Sequence, residues 1–376
     1  MSFKKHLKRF LFINVSVIVL FTIGLCVYDP LHIFHKSWIT DDNRLHDNMR
    51  VQAAGIINNY EFDSAIVGTS MMKGTSAILA SEKLGGKFVN LSADGSSTME
   101  RKYIYEYALR KKNIRHVIIT FDTGLDQNLK INRNFPVEKY NFLYDDKLFN
   151  DFKAYWNYKF IFCFAIWSKS EACLGQSRDL QQPIEWFDKI YIRNKKISGI
   201  ENWVHAEGGR GKAIISRIKR HIDQPIKSKP EYEKKLILTR EIIDDSLFST
   251  IKDNEGVSFH VVFPPYSRFL YSLWRNKDPY KYQLYLETIR YLVHEGAKYE
   301  NLRVYSFDDM AYLDDLNNYR DMRHYNTDMN VLIIDAIKEK KNILSIDNLD
   351  VFIEVADKLN DDYELDKELN YLLDSY

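Results

Sequence analysis

A chain of 376 residues, 45% hydrophobic and 28% charged, has enough apolar material for one large or two modest globular domains. Its formal net charge of +1 supplies no global field for a polyanion and argues against nucleic acid as a partner. Three cysteines, Cys26, Cys163 and Cys173, are too few for a disulfide framework or a zinc site, and the pairing of the last two stays open.

Phe10 to Val27 is uncharged and almost wholly apolar. As a helix it would be ~27 Å long, close to the hydrocarbon thickness of a bilayer. Lys4, Lys5, Lys8 and Arg9 precede it, whereas Asp29, Asp41 and Asp42 follow. The positive-inside rule then leaves the amino terminus in the cytoplasm and exports the rest. A cleaved signal peptide is the competing reading. The apolar run is longer than a usual signal core, however, and no small-residue cleavage site follows it. We therefore expect residues 1–28 to be a short stub and a retained single-pass anchor.

Tyr28-Asp29-Pro30 breaks that helix, and 29–59 reads as a juxtamembrane connection with a short helix over 46–58. Strands and helices alternate from residue 60. Ser64–Gly68 and Lys87–Leu91 read as strands, Thr98–Lys112 as a helix capped by Ser97 or Thr98 with Glu100 in its first turn. His116–Asp122 is an apolar run of the kind buried on both faces of a parallel sheet. The rhythm lapses over about 130–255, read as a mainly helical insertion: aromatics crowd 141–167, Asn202–Gly211 reads as a loop, and 212–227 is basic. Strands return at Val257–Phe263 and Arg303–Phe307, separated by a helix over 282–294 and closed by one over 330–340. The acidic stretch 346–376 reads as a helical tail. Such alternation predicts an α/β domain over 60–345, with a parallel sheet and helices on both faces.

The first strand stops at Gly68-Thr69-Ser70. Ser70 has two readings here: an N-cap of the following helix, or a nucleophile at the carboxyl end of a strand, where open α/β sheets place ligands. A partner set appears after the last strand, in Asp321-Met322-Arg323-His324. Three residues apart, Asp321 can fix the tautomer of His324 while His324 takes the Ser70 proton. The same spacing at Asp29 and His32 lies against the membrane. Gly95, in the loop Asn90–Ser97 after the second strand, could offer a backbone N–H beside that of Ser70 for an oxyanion; an ordinary strand–helix turn is the alternative. His205 and Glu207, the basic run Lys212, Arg217, Lys219 and Arg220, and His260 read more simply as solvated turn, solvated helix face and core histidine. No metal-ligand spacing stands out, and no cofactor is called for.

The order Gly-Thr-Ser, Asn-Leu-Ser-x-x-Gly, strand-end Phe-Asp and Asp-x-x-His-Tyr resembles the SGNH (GDSL-like) hydrolases. It is most similar to their membrane-anchored branch associated with polysaccharide O-acyltransferases. The likeness covers about 60–128 and 255–340. It implies a three-layer α/β/α sandwich of SGNH/flavodoxin-like type, with Ser70 as nucleophile, His324 and Asp321 completing a triad, and Gly95 as second oxyanion donor. It further implies an acylated cell-envelope glycan as substrate and a membrane-bound O-acyltransferase as a partner. Two positions depart from the pattern. Thr69 stands where the family often has Asp, and the third strand ends without the usual oxyanion Asn, for which Asn128 is the nearest substitute. That second departure keeps open a catalytically degenerate protein of the same fold that binds glycan or scaffolds an acyltransferase complex.

Overall fold

The computed structural model describes residues 3–121, 137–178, 198–205, 210–223, 225–226 and 228–375. Helix α1 (Phe3–Tyr28) carries the amino-terminal apolar run and is long and apolar enough to cross a membrane. It stops where Asp29 adopts a left-handed φ of 36°. The Asp29 carboxylate accepts the amides of Ile33, Phe34 and His35 at 2.8 Å each, and also the Tyr155 hydroxyl. Helix α2 (Met49–Asn59), capped by Asn48, grips the same turn. Its Gln52 donates to Leu31 O at 2.8 Å and its Asn59 to His32 O at 2.7 Å. The residues after Tyr28 thus form a braced joint, and the core runs without interruption from Leu31 and Ile33 into the sheet.

That sheet has six strands: β1 (Ser64–Val67), β2 (Phe88–Asn90), β3 (His116–Thr120), β4 (Ser258–Val262), β5 (Leu302–Tyr305) and β6 (Ile343–Leu344). Their order is 2-1-3-4-5-6, parallel throughout except that β6 pairs antiparallel with β5. The expected all-parallel sheet is therefore mixed. Lys340 and Asn342, both left-handed (φ 55° and 56°), turn the chain sharply before β6. Strands β1, β2 and β4 are short and almost wholly buried, as their apolar runs predict, whereas β5 exposes Arg303. Helix α3 (Ala77–Leu84) follows β1, and α4 (Thr98–Lys111) follows β2. The latter starts with a capping box in which Ser97 bonds the Glu100 amide and Glu100 bonds the Ser97 amide.

Between β3 and β4 the described residues are mainly helical, with α5 (Tyr158–Ala165), α6 (Ile200–His205), α7 (Arg210–Asp223) and α8 (Lys229–Ile243) beside shorter helical turns and a 3-10 segment over Leu148–Tyr155. The expected loop at Asn202–Gly211 is corrected: α6 holds residues 202–205, and α7 begins at Arg210. Burial decides this. Trp203 is fully buried and donates its indole N–H to Tyr319 O at 2.9 Å. On α7, Ile214, Ile215 and Ile218 are buried while Lys212, Arg217, Lys219 and Arg220 are exposed, an ordinary amphipathic division. Cys163 and Cys173 are joined by a disulfide.

Helices α9 (Arg268–Lys277) and α10 (Pro279–Gly296) link β4 to β5, α11 (Thr327–Glu339) precedes β6, and α12 (Leu349–Asp362) and α13 (Leu365–Asp374) form the tail. His260, on β4, is a core histidine, with its two ring nitrogens 3.4 Å from His116 Nδ1 and the Tyr305 hydroxyl. Burial pushes its pKa down to about 3, with the His116 and Arg303 charges acting in the same direction.

Candidate active site

In a sheet of order 2-1-3-4-5 the strand order reverses between β1 and β3, and loops leaving that point diverge to leave a crevice. Ser70 stands three residues past β1, at this position. It does not cap a helix. The chain first makes a tight turn, with the Met72 amide on Thr69 O at 3.1 Å and the Thr75 amide on Met72 O at 3.0 Å. The cap of α3 is Ser76, which accepts the Leu79 amide at 3.2 Å. The helix-cap reading of Ser70 fails because the helix begins only at Ala77, with Ser76 as its cap.

The partners arrive from the other end of the sheet domain. Between β5 and α11, residues 318–326 fold back on themselves. Tyr319 bridges Tyr325, and the Arg320 amide donates to His324 O at 2.8 Å. Asp321 tightens the tip by accepting the Arg323 and His324 amides at 2.9 and 3.0 Å, the local side-chain turn that aspartate favours. The same carboxylate meets His324 Nδ1 at 2.9 Å through Oδ2 and 3.0 Å through Oδ1. On the far side of the ring, His324 Nε2 lies 2.9 Å from Ser70 Oγ. Ser70, His324 (254 residues further along the chain) and Asp321 are thus aligned hydroxyl to imidazole to carboxylate, within hydrogen-bonding distance throughout.

Electrostatics favour that polarity. Burial alone would raise the Asp321 pKa, but the His324 charge and the bonds from His324 and Arg323 outweigh it. Together they hold the carboxyl far below its usual range. Asp321 is therefore ionised at neutral pH and can stabilise an imidazolium on His324. The recess beside Ser70, lined by Met71, Gly74, Arg320, Tyr325, Thr327 and Asn330, holds only about 10 Å³, roughly one water.

The loop after β2 is strapped to the Ser70 turn. The Gly68 amide donates to Ser92 Oγ at 2.9 Å, the Ala93 amide donates to Gly68 O at 2.9 Å, and Asn90 Nδ2 bonds Met72 O and Thr75 O at 2.8 and 2.9 Å. Gly95 sits on the outer turn of this loop with φ 58°, a conformation that glycine adopts without strain. Behind it, Arg50 Nη2 donates to Asp94 O at 2.8 Å, the carbonyl of the very peptide whose N–H belongs to Gly95. In a trans peptide those two groups point opposite ways, so anchoring one aims the other.

Ser70, His324 and Asp321 come together. Gly95 lies in the neighbouring loop, and Asn128 falls outside the described residues, as does Glu207. His205 ends α6, and His32 is bonded to the Tyr60 hydroxyl at 2.8 Å while Asp29 is occupied in the joint. Sequence reasoning assigned no role to Asn90, Ser92, Arg50 or Arg320. A polar Asn90 ending a strand that is otherwise buried and apolar was the available signal. Arg50 gave none, because its partner Glu100 reads locally as a helix first-turn acid. No protein-family model, curated protein or solved structure matches the chain.

Proposed function

We propose that this chain is a membrane-tethered, exported serine acyl-esterase or O-acyltransferase acting on an acylated cell-envelope glycan, with the three-layer α/β/α architecture of the SGNH hydrolases. The observation that carries the reading is the Ser70–His324–Asp321 relay. His324 takes the proton as Ser70 Oγ attacks the ester carbonyl, Asp321 holds the ring, and the amides of Ser70 and Gly95 receive the oxyanion. Collapse expels the alcohol with the proton from His324 and leaves an acyl-Ser70. Water completes hydrolysis, or a glycan hydroxyl completes transfer. The Cys163–Cys173 disulfide fits an oxidising compartment, in accord with export. Its partners in this reading are the glycan, the membrane through α1 and a membrane-bound O-acyltransferase.

A second reading, a degenerate module that binds glycan or scaffolds an acyltransferase, is favoured by the end of β3. Thr120 and Phe121 lead into Asp122 there, without the oxyanion Asn of the family pattern. A fluorophosphonate probe separates the two, since it reacts only with a serine activated by its base. One adduct on Ser70, absent after His324→Ala, is expected. An intact protein that leaves Ser70 unlabelled would decide for the binding module. Topology is tested separately. Alkaline phosphatase fused after Tyr376 should be active in cells, and activity of a cytoplasmic reporter there instead would overturn export and the envelope glycan with it.

A further inference from the structure

Outside α1, a run of exposed apolar side chains occupies one stretch of the β3–β4 connection, while others are spread over α8, α11, α12 and α13. Phe149 (77% exposed), Trp156 (43%), Tyr158 (86%), Phe162 (51%) and Ile166 (58%) share it, and Trp38 (58%) stands nearby. Trp38 packs on Trp167 at 6.0 Å, and Trp167 on Tyr28 at 5.4 Å, so the patch is continuous with the end of α1.

Its depth follows from where it touches α1. Phe164 of α5 packs on Phe21 with ring centroids 5.2 Å apart, and Trp156 meets Phe21 at 6.1 Å. The Phe164 ring also rides directly over Gly24, where a Cβ would lie only 2.4 Å from its Cζ. Seven residues separate Phe21 from Tyr28, about 10 Å along a helix axis. A bilayer wide enough to cover the apolar run of α1 therefore reaches the side chains seated on Phe21. The joint keeps them there: the Tyr28 hydroxyl donates to Ser168 O, and Asp29 is held by three amides and Tyr155.

We propose that α5 and the preceding segment, residues 148–157, embed in the leaflet facing the folded domain, as a second membrane contact beside α1. The proposal rests on α1 spanning the bilayer. The chemistry suits lipid. Trp and Tyr favour the headgroup boundary, and Lys153 and Lys159, interleaved with the aromatics, can extend their ammonium groups to phosphates while their stems lie along the rings. Lys159 Nζ already stands 5.3 Å from the Phe160 ring centroid. Two contacts fix the orientation of the domain as well as its distance from the membrane, which a single tether would not.

The test uses the full chain, purified alone in nanodiscs of phosphatidylcholine and phosphatidylglycerol. An environment-sensitive NBD label is placed at Phe162→Cys in a Cys26→Ser background, without reductant so that the disulfide stays closed. The same label at Ile13→Cys reports the span, and at Val351→Cys an exposed site on α12. Both Phe162 and Ile13 labels should emit to the blue of the Val351 label, lose emission when the lipids carry doxyl groups, and resist iodide. An Ile13 label that meets these criteria beside a Phe162 label that behaves like Val351 would overturn the second contact and leave the span standing. Aqueous emission from both would overturn the span and the proposal with it. A Phe162 label shifted to the blue yet indifferent to doxyl lipids would mean that another copy of the chain covers this face, and would also overturn it.

Discussion

Replacing Ser70 with alanine is expected to lower hydrolysis of a small acetyl ester at least about 10⁴-fold. The melting temperature should move by no more than about 2 °C, because Ser70 caps no helix and is only partly buried. His324→Ala should cost nearly as much, since a nucleophile without its base is almost as ineffective as none. Asp321→Asn should be milder, about 10²–10⁴-fold. An amide facing His324 Nδ1 donates where the carboxylate accepted, which favours the tautomer whose Nε2 already carries a proton and cannot receive that of Ser70. The pH dependence has a fixed sign. The folded-state pKa of Asp321 is depressed, so its contribution to stability is present above the ordinary carboxylate range, near 3.9, and is lost only as pH falls through the lower folded value. Wild type should hence keep this contribution through mildly acidic pH, and Asp321→Asn should lack it throughout. Turnover by Ser70→Ala at the wild-type rate would end the catalytic reading. Wild type without esterase activity, with glycan binding unaffected by Ser70→Ala, would establish the binding module.

Much of this site was legible because its chemistry is written in short motifs at the ends of strands. Val67 gives way to Gly68-Thr69-Ser70, and Tyr305 is followed within twenty residues by Asp321 and His324. Strand–helix alternation then brings both strand ends to one edge of the sheet. What stayed hidden depends on contacts between distant segments. Asn202–His205 looks like a loop by composition, yet a tertiary partner, the Tyr319 carbonyl on Trp203, comes with a helix there. Strand β6 is two residues long and sets no periodicity, so nothing in the chain announced an antiparallel edge. A cap at Ser70 was one open reading because several hydroxyls precede α3, and only hydrogen bonding singles out Ser76.

Removing Glu100 alone is expected to destabilise the fold by roughly 3–5 kcal/mol, because it strands a buried guanidinium. Arg50 and Glu100 are paired at 2.5 Å with side chains only 5% and 1% exposed. Burial by itself would raise the Glu100 pKa, but Arg50, the Ser97 amide and the Tyr140 hydroxyl together keep it low. The pair stands directly behind the candidate oxyanion donor, with Arg50 Nη2 on Asp94 O and Glu100 capping the helix that leaves the same loop. Stability and catalysis can be separated by neutralising both members at once. Arg50→Met with Glu100→Gln leaves no unpaired charge. The glutamine still accepts the Ser97 amide and offers its own N–H₂ to the Tyr140 oxygen, so most of the lost stability should return. Activity should not return with it. Without the Arg50 guanidinium the Asp94 carbonyl loses its bond from α2, and in the proposed mechanism the Gly95 N–H is then aimed less firmly at the oxyanion. One such donor is worth about 3 kcal/mol, so kcat should fall on the order of 10²-fold while KM changes little. Thermal melts and ester kinetics on Glu100→Ala and the double variant check this. A double variant as stable and as active as wild type would show that Gly95 is not aimed from behind by Arg50.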